Sequence, residues 1–360
     1  MAQALLLMSE RPIACDSVAM TIGVRGSRVQ EYDRAGAFPL PEITMKVLLA
    51  TDRSDQAAAA AKFLMSLRFK EPMELTIVTA LGDPYGSNPD STQHWFPELL
   101  KQERARMEQH QHDLSKLMSP RCRSIETVCR AGHPVKIILA EAQKGGHDLI
   151  VMGAIGHSLI GRLLVGSVSD NVATHAKCSV LIVRPGETSG EKGAEESHTG
   201  TRISIGYDRS KASRQAVQEM LDLQWEPDTE VKLIGVAPIY DYLLGNGLST
   251  AAVVNEEEVF REMQTAGENM RDEIIETLPN VKSVVKHDQR VGDAIVEEAA
   301  KNHSDLIVVG DSGHSMLDDL LLGSTTKYVL RHARCSVWIS RHHRRVDAGA
   351  ESTATSNASA

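Results

Sequence analysis

Asp52 and Asp208 each follow a short apolar run, and far down the chain each is answered by the same glycine set. Gly153, Gly156 and Gly166-Ser167 make one copy of G-x2-G-x9-G-S; Gly310, Gly313 and Gly323-Ser324 make the other. Gly153 lies 101 positions after Asp52, and Gly310 lies 102 after Asp208. This set suits a mononucleotide. Glycines let backbone amides approach an anion and reach φ > 0 without a Cβ clash. A Gly-Ser at a helix start turns unpaired N–H groups and the helix dipole towards phosphate, and Ser167 and Ser324 add a hydroxyl. A carboxylate facing that cradle suits a ribose hydroxyl or an adenine edge, because it would repel a phosphate. An acid before a helix and a glycine after a strand also make an ordinary turn, and a turn is copied with its domain. Spacing alone leaves both readings open.

Other chemistry finds little support. There is no GxxxxGK[ST], no GxGxxG after a strand, no GxSxG and no HExxH. The five cysteines form no CxxC pair, which fits a reducing compartment, and cytoplasmic location is the default expectation. Cys178 and Cys335 enter buried strands and read as core thiols; Cys122 and Cys129 lie on an outer strand. No general base has a committed partner, so at most slow hydrolysis or autophosphorylation is expected. A net charge of −9 argues against nucleic acid and anionic membranes as partners, and no apolar run reaches membrane-spanning length. The basic run from Arg341 to Arg345 reads as a solvated tail.

The elements that must hold these residues come in two sets. DLIVMGAIGHSLIGRLLVGS from Asp148 lies over DLIVVGDSGHSMLDDLLLGS from Asp305 without a gap, 157 positions on, and Asp52 meets Asp208 at 156. So small a drift over a hundred residues means two whole domains. The first half reads as strands at Lys46–Thr51, Leu75–Ala80, Cys122–Cys129, Asp148–Gly153 and Ser179–Val183. Its helices run from Ser54 to Arg68, Glu98 to Met118, Pro134 to about Gly145, and Ser167 to Ala176. The second half repeats the series, from Arg202–Tyr207 and a helix over Ser210–Leu223 to a fifth strand at Ser336–Ser340. Apolar strands alternating with helices imply a parallel α/β sheet covered on both faces. The organisation expected is a flexible leader over 1–44, a domain over 45–186, and a linker over 187–201. A second domain follows over 202–341 and a disordered tail over 342–360.

TDRS with GAIGHSLIGRLLVGS, and YDRS with GDSGHSMLDDLLLGS, resemble the universal stress protein family in a tandem two-domain form. The resemblance implies two five-stranded parallel doubly wound sheets of order 3-2-1-4-5, of the adenine-nucleotide α-hydrolase-like kind. It also implies ATP, with Mg²⁺ possible, as a regulatory or structural ligand in a stress response. In those terms Asp52 and Asp208 touch adenosine, the glycines and Gly-Ser pairs hold phosphates, and Ala80 and Val236 flank adenine. A nucleotide-free scaffold working through protein partners is the alternative. Arg53 and Arg209 stand where the family often has Gly. Asp318 and Asp319 replace Gly161 and Arg162, so the first domain is expected to be the stronger site. His157 and His314 could donate to phosphate or simply pack their loops. Each fifth strand would be an open edge, so the domains are expected to pair through it pseudo-symmetrically, with a homodimer of chains possible.

Overall fold

The computed structural model describes residues 44–82, 96–155, 165–185, 200–238, 256–278, 280–312 and 322–341. The expected leader up to residue 43, most of the linker, the tail, and the loop residues Gly156, His157, Gly313, His314, Asp318 and Asp319 lie outside them. The first half runs β1 (Lys46–Ala50), α1 (Asp55–Ser66), β2 (Arg68–Phe69), β3 (Met73–Leu81), α2 (Phe96–Met118) and β4 (Cys122–Ala131). It ends with α3 (Pro134–Gly145), β5 (Leu149–Gly153), α4 (Ser167–His175) and β6 (Ser179–Val183). The second half opens with β7 (Arg202–Gly206), α5 (Lys211–Leu221), β8 (Leu223–Gln224), β9 (Glu230–Pro238), α6 (Glu256–Ile274) and β10 (Val281–Asp288). It closes with α7 (Val291–Lys301), β11 (Leu306–Gly310), α8 (Ser324–His332) and β12 (Ser336–Ser340).

Local chemistry explains the boundaries. Ser54 and Ser210 cap α1 and α5, each accepting the N–H three residues on at 3.1 Å. Pro134 opens α3, and Gly146 ends it at φ 61°, a left-handed conformation that costs glycine little. Two expected helices are shorter than their periodicity suggests. Arg68 and Leu223, read as the last helical residues, instead start β2 and β8, which pair antiparallel with each other across the two domains.

The main sheet has ten strands in the order β10-β9-β7-β11-β12-β6-β5-β1-β3-β4. Within each half the five long strands keep the order 3-2-1-4-5, all parallel. The halves join where β6 meets β12 antiparallel, with Leu181 opposite Trp338. The exposed edge of each fifth strand is thereby closed, and the strand carboxyl ends of the two halves point to opposite edges of one sheet. Helices α1, α2, α5 and α6 cover one face around Leu64, Met118 and Met220; α3, α4, α7 and α8 cover the other around Ile138, Val172 and Val329.

Two arginines hold this seam. Arg184, just past β6, donates from Nη2 to the Leu330 carbonyl of α8 at 2.7 Å. Arg341, just past β12 and 157 positions later, donates from Nη2 to the Ala173 carbonyl of α4 at 2.6 Å. Both carbonyls lie in a last helical turn, where no intrahelical donor remains and the dipole favours a cation. Each half thus caps the other half's last helix. Arg341 is 0% exposed, so it is no part of a solvated tail. Its Nε lies 3.4 Å from the equally buried Asp311, whereas the repeat counterpart of Asp311 is Ala154. The second asymmetry is Glu219 on α5, 3% exposed, whose counterpart is Phe63. Its carboxylate accepts from Ser179 Oγ at 2.8 Å, Trp338 Nε1 at 2.6 Å and Ser340 Oγ at 2.8 Å, tying both fifth strands to one helix.

Candidate functional site

Each half carries a slot at the carboxyl ends of its first, second and fourth strands, where strand order reverses and doubly wound sheets bind ligands. In the first half Asp52 lies just past β1, Gly153 ends β5, Gly166-Ser167 opens α4, and Ala80 stands near the end of β3. All of them line one cavity of about 360 Å³. In the second half Asp208, Val236, Gly310, Gly323 and Ser324 line the equivalent cavity, about 130 Å³ in volume. Ten of the twelve residues expected from the sequence are therefore brought together in their own slots. Gly156 and Gly313 lie outside the described residues.

The acids are oriented before any ligand arrives. Asp52 Oδ1 accepts the Ser54 N–H at 3.0 Å and the Ser54 hydroxyl at 2.5 Å, and Asp208 Oδ1 accepts the Ser210 N–H at 3.0 Å. These turns put the intervening residue in the left-handed region, at φ 68° for Arg53 and 69° for Arg209. That conformation costs a residue with a Cβ about 1–2 kcal/mol. It gives a physical reason for glycine at this position. Each arginine instead reaches a glutamate on the long helix, Arg53 to Glu103 at 3.6 Å and Arg209 to Glu262 at 3.0 Å. These pairs are half-exposed, so each contributes at most about 1 kcal/mol. Arg53→Gly is therefore expected to be about 1 kcal/mol more stable than Arg53→Ala, the reverse of the usual order. Urea unfolding of the two variants checks it, and an Ala variant at least as stable would refute the strain.

Gly166 and Gly323 sit at the N-cap of α4 and α8 and supply no side-chain acceptor, so the first-turn amides keep their capacity for an anion. Their backbones are extended, at φ −66° and −58°. Gly153 and Gly310 are not in the left-handed region either. A Cβ on Gly153 would lie 2.8 Å from the Gln56 backbone, and one on Gly310 would lie 2.7 Å from Ala212. These two glycines are therefore required by the close approach of α1 and α5 to the fourth strand, a correction to the reading from φ > 0.

Two hydroxyls pin the helix starts to the strand ends. Ser169 Oγ donates to the Gly153 carbonyl at 2.8 Å, and Thr326 Oγ1 donates to the Gly310 carbonyl at 2.7 Å. Backbone bonds from Gly166 to Ala154 at 2.7 Å and from Gly323 to Asp311 at 2.8 Å close the loop stems beside them. A profile of the universal stress protein family matches residues 44–184 and again 200–341. The chain belongs to the universal stress protein family. A universal stress protein of Methanocaldococcus jannaschii is 30% identical over 141 residues, which cover 39% of this chain and 81% of that protein. One from Thermus aquaticus is 34% identical over 140 residues, covering 38% and 97%. A solved universal stress protein of Archaeoglobus fulgidus aligns with TM-score 0.53 at 18% identity, over 82% of this chain and 96% of its own. A putative one from Pseudomonas aeruginosa gives 0.54 at 14%, over 84% and 96%, and at such identities the likeness is one of fold.

Sequence reasoning missed three features of this universal stress protein. Ser169 and Thr326 stand two positions after the Gly-Ser pairs and are both hydroxyl residues, a signal that was open to inspection. The third is His110 on α2, whose Nε2 lies 3.0 Å from Thr51 Oγ1 beside the first acid. Burial and then the nearby Arg53 push His110 below the usual histidine range. Burial pushes Cys178 and Cys335 up to about 12, which leaves these two almost no thiolate at neutral pH. Among the described residues no helix is long and apolar enough to cross a membrane.

Proposed function

We propose that this chain binds an adenine nucleotide, ATP in the first instance, in the slot of its first domain. The nucleotide acts there as a regulatory or structural ligand. One observation carries the reading: a carboxylate held by its own turn faces an uncapped helix N-terminus across a cavity of about 360 Å³. That volume falls in the range of about 300–1,000 Å³ usual for small-molecule sites. The Ser167 end presents amides and hydroxyls to phosphate, while Val78, Ala80 and Ile138 offer an apolar surface for the base. Asp52 would accept from the ribose or from the adenine edge.

Among the described residues no group of three or more histidines, cysteines, aspartates or glutamates could hold a metal ion. Mg²⁺ would therefore enter on the nucleotide's own phosphates. Calorimetric titration of the full chain with Mg-ATP tests this reading. Asp52→Ala is expected to weaken binding roughly 10- to 150-fold, the value of a hydrogen bond to a charged group. No heat from the unaltered chain would favour a nucleotide-free scaffold, and turnover above about 1 s⁻¹ would favour an enzyme.

A further inference from the structure

The two slots are built from the same positions and differ in what fills them. Every residue lining one cavity is the repeat counterpart of a residue lining the other, yet the volumes are about 360 and 130 Å³. Two lining residues are smaller in the second half, Ser312 for Ile155 and Val309 for Met152, which would enlarge that slot. Larger side chains stand on the strand floor instead. Val236 replaces Ala80 and Ile234 replaces Val78, adding three carbon atoms where the second strand ends. Ile234 is 1% exposed, as is Val78, but Val236 is 6% exposed where Ala80 is half-buried. Ile234 and Val236 belong to the apolar cluster under α7 and α8, the same cluster that holds Ile295 on the far wall of the slot. Tyr207, which replaces Thr51, is also larger, but it packs in the cluster on the opposite face of the sheet.

We propose that Ile234 and Val236 close the second slot to the nucleotide base, so that the chain carries one nucleotide and the repeat has divided its labour. The inference rests on the reading of the first slot given above. A cavity of about 130 Å³ is below what small-molecule sites usually enclose, and a packed floor of Val and Ile yields little without losing core contacts. The phosphate end is unchanged: Gly310, Gly323 and Ser324 keep the geometry of Gly153, Gly166 and Ser167.

Calorimetry of the full chain with Mg-ATP gives the number of sites directly. The unaltered chain is expected to bind one nucleotide, and the double variant Ile234→Val, Val236→Ala to bind two. Adding Asp52→Ala to that double variant should return the count to one. The reciprocal change Ala80→Val, which puts the second floor into the first slot, should weaken the single event at least tenfold. Two sites in the unaltered chain, a count of one in the opened variant, or full affinity in Ala80→Val would each overturn the closure alone. An unaltered chain that binds nothing would overturn the reading of the first slot and this inference together.

Discussion

Arg341→Met is expected to destabilise the protein by about 3–5 kcal/mol, because it leaves the carboxylate of Asp311 fully buried without its cation. The same change at its repeat counterpart should be much milder. Arg184 meets the carbonyls of Leu330 and Cys335 at 2.7 and 3.5 Å, and burial already holds it below the usual arginine range. Arg184→Met then forfeits a helix C-terminal cation, worth about 2 kcal/mol or less in partly buried geometry. Denaturant unfolding of the two variants reads the difference. Equal losses would show that the Asp311 pair adds nothing and that helix capping is the whole role of both residues. The contrast matters because Asp311 directly follows β11 beside the second slot, so Arg341 ties that strand end to the last turn of α4 in the first domain.

Glu219→Leu should cost about 3 kcal/mol or more. It strands the Ser179 and Ser340 hydroxyls and the Trp338 indole N–H in the dry seam, at about 1–3 kcal/mol for each donor left unpaired. In the first domain Phe63, Leu181 and Val183 stand at the counterpart positions of Glu219, Trp338 and Ser340, while the counterpart of Ser179 is again a serine, Ser336. The triple variant Glu219→Phe, Trp338→Leu, Ser340→Val copies that arrangement and should recover the part of the loss due to Trp338 and Ser340, since removing both sides of a buried hydrogen bond is nearly neutral. A triple variant no more stable than Glu219→Leu would mean that shape, not donor satisfaction, governs the seam.

Much of the fold was legible because its signals are local. Apolar runs, Ser54 and Ser210 as caps, Pro134 at a helix start and Gly146 at its end each act within a few residues of where they are read. The errors arose where a distant strand outcompetes a local preference. Arg68 and Leu223 continue a helical pattern, but each gains a backbone partner from the other domain. Glu219 was legible as an anomaly, a carboxylate on the stripe of Ala212, Ala216 and Met220, though nothing in the sequence named its three donors. The matched pair Arg184 and Arg341 stand 157 positions apart, the offset of the repeat, but the basic residues after Arg341 disguised it as a tail.

The candidate slots divide in the same way. By itself the sequence determined that the chain is a duplication, that each copy is a parallel α/β sheet, and that an acid and a Gly-Ser helix start recur at one spacing in both. Those properties follow from periodicity and repetition, which need no partner. Only the tertiary structure decided that the two sheets become one through β6 and β12, with hydrogen bonds between residues as much as 168 positions apart. It also decided that Gly153 and Gly310 are there for helix packing, and that two slots built from matching positions differ nearly threefold in volume. Volume depends on how side chains from three strands and three helices fill a common space, and no single stretch of the chain records that.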